Sequence, residues 1–278
     1  MTHLVWNRNP KLLSGQEYEG NQILANEISQ KGYRAIIDEY VYIDTDKVEE
    51  TLKLIPNLWD SIKGTGIDLG GGVGCISSTL AKKAEVKKIY CVEMVEGAVT
   101  LCQPIVKNQI LGKDYEKVIS VVGDFDQLEL EDNSIDFAIS WDSMHHSIDP
   151  VKTFEECRRI LKPNGLFIIM DRAHNDSTPD SEIERMLNIV YDESFLIKNH
   201  RPKDLILTRK QNGEHEYRFF EWKDFFKKSG FNFVSGVVIK TETEENKKLK
   251  NDVGLPEIFT KYELGAFGNR KVSFILQK

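Results

Sequence analysis

Over the first sixty positions, Leu24, Ile28, Ile36, Ile37, Val48, Leu52, Ile55, Leu58 and Trp59 recur at helical intervals, with Pro56 as a break. That spacing predicts a mostly helical N-terminal segment over 1–63. Further on, short apolar runs at 67–69, 89–93, 118–123, 135–141 and 166–170 alternate with amphipathic stretches at 73–83, 95–109 and 151–162. Buried strands alternating with helices imply a parallel sheet covered on both faces. Pro104 should kink or shorten the second helix, and Lys162-Pro163-Asn164-Gly165 reads as a turn into the fifth strand.

Residues 173–216 interrupt the alternation with Thr178-Pro179, Arg201-Pro202 and Asn212-Gly213, around a helical piece at 182–190. An insertion of that length after a sheet strand is expected to act as a lid or to shape a substrate site. A helix at 221–228 ended by Gly230 follows, then strands at 231–240 and 271–277. The charged run 241–250 between them reads as a solvated hairpin loop. The expected fold is α/β, a seven-stranded, mostly parallel, doubly wound sheet over 64–278, with the N-terminal helical segment as a lid.

Composition narrows the class of partner. A net charge of -7 over 278 residues argues against nucleic acid, whose binding rests on lysine and arginine. The four cysteines show no Cys-x-x-Cys pair, which suggests neither a zinc site nor a disulfide framework and fits a reducing compartment. The N-terminus lacks the basic start and apolar core of a secretory signal, and no apolar run approaches the roughly 20 residues that span a bilayer. A cytoplasmic protein without membrane contact is expected; a homodimer is compatible with the chain.

The chemistry concentrates at Asp68-Leu69-Gly70-Gly71-Gly72-Val73-Gly74, where a strand should end and a helix begin. Glycines there allow a tight turn and close backbone approach to a ligand. A P-loop would need Gly-Lys-Ser/Thr, but Gly74 is followed by Cys75-Ile76. A dinucleotide fingerprint counted from Gly70 would need its third glycine where Cys75 stands. The loop instead reads Asp-x-Gly-x-Gly-x-Gly.

That pattern resembles motif I of the class I S-adenosylmethionine-dependent methyltransferases. The likeness continues through Glu93 at the end of the second strand, Asp124-Phe125 after the third, and Ser134-Ile135-Asp136-Phe137 in the fourth. Trp141 to Pro150 resembles the His-His…Asp-Pro segment of many small-molecule methyltransferases, and Arg158 to Leu166 resembles the turn before strand five. Phe220 to Phe226 and Ser229-Gly230-Phe231 resemble the family's late helix-to-strand junction, so the likeness spans about 64–278. It implies S-adenosylmethionine as cofactor and S-adenosylhomocysteine as product. Asp68, Gly70, Gly71 and Gly72 would flank its methionine part, Glu93 and Met94 its ribose, Asp124 and Phe125 its adenine, and Trp141 would line the pocket.

Catalytic candidates follow the fourth strand. An alcohol acceptor must lose a proton, and a neutral imidazole suits that task, so His145 and His146 are candidate bases, with Asp142 as an alternative base or anchor. Asp171, Arg172 and His174 follow the fifth strand at the same edge. His174 with His145 or Asp142 offers metal-type ligands, but no spacing requires a metal and none is expected. Arg201, His215 and Arg218 are candidates for an anionic substrate, and Tyr18, Tyr33, Tyr40 and Tyr42 for a cover; Asp136 reads as structural. The reaction expected is O-methylation of a small molecule such as a sugar, sugar nucleotide or natural product. Alternatives are N-, C-, carboxyl or phosphate methylation, a nicotinamide-dependent oxidoreductase, or a fold of this type kept only for binding. The Asn/Asp-Pro-Pro-Tyr/Phe motif of amino-group methyltransferases acting on DNA and some proteins is absent after strand four.

Overall fold

The computed structural model describes residues 3–13, 15–40, 45–53, 55–241 and 269–278; Tyr42 and positions 242–250 of the charged run lie outside them. The chain opens with β1 (Leu4–Val5), then α1 (Gln16–Lys31), α2 (Tyr33–Tyr40), α3 (Thr45–Lys53) and α4 (Leu58–Ser61). The alternating region gives β2 (Gly64–Leu69), α5 (Cys75–Ala81), β3 (Val86–Glu93), α6 (Gln103–Leu111), β4 (Val118–Val122), β5 (Ile135–Trp141), α7 (Pro150–Ile160) and β6 (Leu161–His174). The insertion holds α8 (Asp180–Leu187) and α9 (Glu193–Lys198); α10 (Phe219–Lys228), β7 (Asn232–Thr241) and β8 (Asn269–Gln277) close the fold.

These strands form one sheet in the order β1-β4-β3-β2-β5-β6-β8-β7. All pairings from β1 to β6 are parallel, while β8 runs antiparallel to both β6 and β7. Successive side chains feed opposite faces. Phe137, Ile139, Ile168 and Met170 join a cluster with Leu52, Ile76 and Leu80, whereas Ala138, Phe167 and Ile169 meet Phe154, Trp222 and Phe226 on the other side. Burial on both faces explains why these strands read as continuous apolar runs.

The strand count is a correction: eight strands among the described residues, not seven. The first residues of the segment expected to be helical instead add β1 to the edge of β4, with Leu4 opposite Val121 and Val5 opposite Val122. Trp6 then donates its backbone N–H to the Val122 carbonyl at 2.9 Å and buries its ring in the core. A two-residue strand is too short to show alternation. The fifth expected strand starts earlier, at Leu161, and its turn becomes a bulge: the register slips between Ile135 and Phe137 while Asn164 takes φ 65°. Pro104 shortens its α-helix, which begins only at Gln103. It lies in the first turn of α6, after a π-turn at Ala98–Cys102, where a missing N–H is least costly. All four cysteines are free and buried.

The parallel strands end at one edge, and β2 is the point where the order reverses, with β3 on one side and β5 on the other. Such a switch point leaves a crevice at the carboxyl ends of the strands. α1 and α2 close over it by packing Leu24, Ala25, Ile28 and Ile36 against Val73, Val95 and Cys102.

Candidate active site

The loop after β2 is built from backbone geometry. Gly70, Gly72 and Gly74 take φ of 71°, 52° and 85°, a region that favours glycine. Gly70 and Gly71 donate their N–H groups to the Val92 carbonyl at 3.0 and 2.9 Å, tying the loop to the end of β3. A Cβ on Gly70 would stand 2.5 Å from the Ser143 Cβ, and Ser143 in turn donates to the Leu69 carbonyl at 2.7 Å. The loop and the residues after β5 are therefore fitted to each other.

Glu93 closes the turn: its carboxylate oxygens accept N–H bonds from Gly72 at 3.0 Å and Val95 at 2.9 Å. Burial pushes its pKa up, against those bonds. Each oxygen keeps a lone pair for a further donor such as a ribose hydroxyl. Asp124 likewise accepts from Asn9 N at 3.1 Å and Asp126 N at 2.9 Å, which anchors the N-terminal segment beside the cavity. Asp68 is buried, with Oδ2 accepting from Ser77 Oγ at 2.6 Å and Oδ1 left without a partner. Burial pushes its pKa up to about 6.

A cavity of about 840 Å³ runs from this loop into the space under α1 and the insertion. Its wall includes every residue singled out for cofactor or catalysis: Asp68, Gly70, Gly71, Gly72, Glu93, Met94, Asp124, Phe125, Trp141, Asp142, His145 and His146. The glycine cradle, the orphaned Asp68 oxygen and the acceptor-rich carboxylates suit a ligand that brings an ammonium and ribose hydroxyls, as S-adenosylmethionine does.

The other end of the cavity is made of side chains from distant segments. His145 is buried, with Nδ1 2.7 Å from Asp171 Oδ1 and Nε2 3.8 Å from Glu214 Oε2; its backbone N–H donates to Asp171 Oδ2 at 3.1 Å. Burial, with Arg172 and His146 adding to it, holds its pKa well below the usual histidine value. His146 lies beside it, ring centroids 4.2 Å apart, with Nδ1 2.9 Å from the Gly213 carbonyl and 3.1 Å from Glu17 Oε1. Burial works against its charge, but Glu17 and Glu214 outweigh that and raise its pKa. Glu214 pairs with Arg172 and accepts from Tyr191 OH at 3.2 Å. Asp142 enters this wall with φ 55°, its N–H donating to the Met170 carbonyl at 2.6 Å.

Other candidates are placed differently. His174, expected at the active edge, is fully buried with Nε2 on Glu216, which also pairs with Arg209; none of these three lines the cavity. Arg218 caps α10 and reaches Asp180 and the Thr178 carbonyl, and His215 Nδ1 sits 2.8 Å from the His145 carbonyl oxygen. Arg172, Arg201 and Tyr40 do line the cavity; Tyr18 and Tyr33 pack with the α1–α2 core. Asp136 holds Lys162 Nζ at 2.7 Å and Thr65 N at 2.8 Å, a structural role. Sequence reasoning missed Glu17 and Glu214. Neither belongs to a motif, and only folding puts them beside the histidines.

A glycine loop, a carboxylate on the neighbouring strand and a reversed parallel order define the fold of the class I S-adenosylmethionine-dependent methyltransferases. Residues 67–169 match the family model of the methyltransferase domain. It is 30% identical over 151 residues to a glycine/sarcosine/dimethylglycine N-methyltransferase of Actinopolyspora halophila, covering 54% of this chain and 26% of that protein. A sarcosine/dimethylglycine N-methyltransferase of Aphanothece halophytica is 27% identical over 166 residues, 57% of this chain and 55% of its own length. The chain thus spans roughly a quarter to a half of these curated relatives. Among solved structures, one from Galdieria sulphuraria assigned as a sarcosine dimethylglycine methyltransferase superposes with a TM-score of 0.57 at 19% identity, over 91% of this chain and 98% of that one. A geranyl diphosphate C-methyltransferase of Streptomyces coelicolor A3(2) gives 0.57 at 13% identity, over 88% and 79%. The family's cofactor is S-adenosylmethionine, which displaces the nicotinamide alternative. Among the described residues no helix is long and apolar enough to cross a membrane.

Proposed function

We propose that this protein transfers the methyl group of S-adenosylmethionine to a nitrogen of a small molecule. The observation that carries the reading is the single cavity that joins the glycine loop and Glu93 at one end to the acid-rich wall of Glu17, Asp142 and Glu214 at the other. Glu17, Asp142 and Glu214 outnumber Arg172 and Arg201 on this wall, a balance that favours an amine-bearing substrate. The curated relatives whose names specify glycine, sarcosine and dimethylglycine support nitrogen as the acceptor atom.

The cofactor, when bound, supplies an electrophilic methyl on a sulfonium. Gly70, Gly71 and Gly72 would flank its methionine part with Asp68 beneath them, Glu93 and Met94 would hold the ribose, and Asp124, Phe125 and Trp141 would bound the adenine end. His145, His146 and Asp142 would face the acceptor and fix its direction of approach. Alignment and exclusion of water under α1 and the insertion would supply much of the rate.

The hydroxyl acceptor expected from the sequence keeps one support. The His145–Asp171 pair is the arrangement that takes a proton from an alcohol, with Asp171 fixing the ring. One experiment separates the readings. Labelled S-adenosylmethionine is incubated with matched amine and alcohol panels, and products are resolved by mass. Label in N-methyl products supports the proposal, label only in methyl ethers favours the second reading, and no cofactor binding at all would overturn both.

A further inference from the structure

Spacing along the chain calls for no metal ion, yet folding brings His145, His146 and Glu214 together with candidate ligand atoms all within 4.8 Å of one another. We propose that these three side chains bind a divalent first-row transition-metal ion at the acceptor end of the cavity.

The outer surroundings of both rings support this. His145 Nδ1 is engaged by the Asp171 carboxylate, and His146 Nδ1 by the Gly213 carbonyl and Glu17. Each of these partners accepts a proton from Nδ1, which leaves Nε2 of each ring with its lone pair. Metal-bound histidines show this same pattern, one nitrogen on the ion and the other donating to a carboxylate or backbone carbonyl. The acceptors at Nδ1 thus favour the tautomer whose Nε2 is free to ligate, and His145 Nε2 lies 3.8 Å from Glu214 Oε2.

Glu214 is held as a ligating carboxylate would be. Arg172 grips Oε2 and Tyr191 OH donates to Oε1, which fixes the group while each oxygen keeps a lone pair. Local charge also favours a cation. Glu17, Asp142 and Glu214 on this wall, with Asp171 behind His145, outnumber Arg172 and Arg201, and Asp142 with His145 and Asp171 forms a second potential ligand group sharing a residue with the first. A dication relieves that excess.

Two imidazoles and one carboxylate leave coordination positions open, as in catalytic rather than structural sites. Those positions adjoin the cavity. Resting on the methyltransferase reading above, the ion would hold an oxygen-donor group of the acceptor, such as a carboxylate, and leave the amine free to take the methyl. A metal on His145 Nε2 occupies the lone pair that alcohol deprotonation requires, so the two roles are alternatives at that atom.

The test uses the full chain without an affinity tag, stripped by chelator and titrated with Co²⁺ in visible absorption and Zn²⁺ in calorimetry. The expected result is one ion per chain with bands of imidazole ligation. His146→Ala and Glu214→Gln should each weaken binding at least about tenfold, and Asp171→Asn about 10–100-fold through the ring it orients. Cofactor binding by the same variants reports that they are folded. No binding of either ion by the stripped protein up to ~1 mM, or equal affinity in His146→Ala, would overturn the metal site. Neither result touches cofactor binding, so failure here is distinct from failure of the methyltransferase reading.

Discussion

The two ends of the cavity are built by opposite means. At the cofactor end the ligand-facing surface is largely backbone: glycines at positive φ, tied to Val92 and Glu93 by N–H bonds over a span of about one strand and one turn. At the acceptor end it is side chains drawn from residues 17, 142, 145, 146, 172, 201 and 214, which meet only because α1 and the insertion fold over the sheet edge. A backbone site tolerates little change and serves one ligand. A side-chain site can be re-specified residue by residue while the fold stays intact.

The largest effect should come from the backbone side. Gly70→Ala puts a Cβ 2.5 Å from Ser143 at a φ that costs an L-residue roughly 1–2 kcal/mol before any clash. Cofactor affinity by equilibrium dialysis should fall more than about tenfold. Wild-type affinity in that variant would show that the loop does not cradle the ligand. Glu93→Gln should follow, because it weakens charged hydrogen bonds worth about 1.5–3 kcal/mol each in stability or binding. A rise of about 10–100-fold in cofactor Kd is expected.

On the acceptor side, His145→Ala should lower kcat/KM for the acceptor at least about tenfold while cofactor Kd stays within about twofold, since the ring's contacts are with Asp171 and Glu214 rather than with the glycine loop. A matching loss of cofactor affinity would collapse the distinction between the two ends. A smaller test concerns stability. Asp68 has its pKa raised to about 6 by burial, so its contribution favours the folded state below about pH 4 and is lost as pH rises through 6. The span corresponds to about 3 kcal/mol at most. Asp68→Asn should flatten the melting temperature between pH 4 and 7 relative to wild type; an unchanged slope would mean that Asp68 is not the titrating group.

The same contrast explains what could be read from the chain. Leu69 to Gly74, Glu93 and Asp124 lie at strand ends whose apolar runs are unmistakable, so local spacing places them on one edge. His145 and His146 were found because they follow such a strand. Glu17 sits in the first turn of α1, a helix with little apolar periodicity, and Glu214 in an irregular insertion, so no period marks either. His174 misled for the reverse reason: it also follows a strand, but β6 continues far enough to bury it against Glu216. Leu4–Val5 was invisible because two residues carry no alternation, although Trp6 shows its anchoring in the core.

Labelled S-adenosylmethionine supplied with a small-amine panel, followed to product by mass, tests the central claim most directly. Tight cofactor binding with label appearing in an N-methylated product is the result this account predicts. A folded protein that binds no S-adenosylmethionine, in the presence or absence of acceptor, would contradict it.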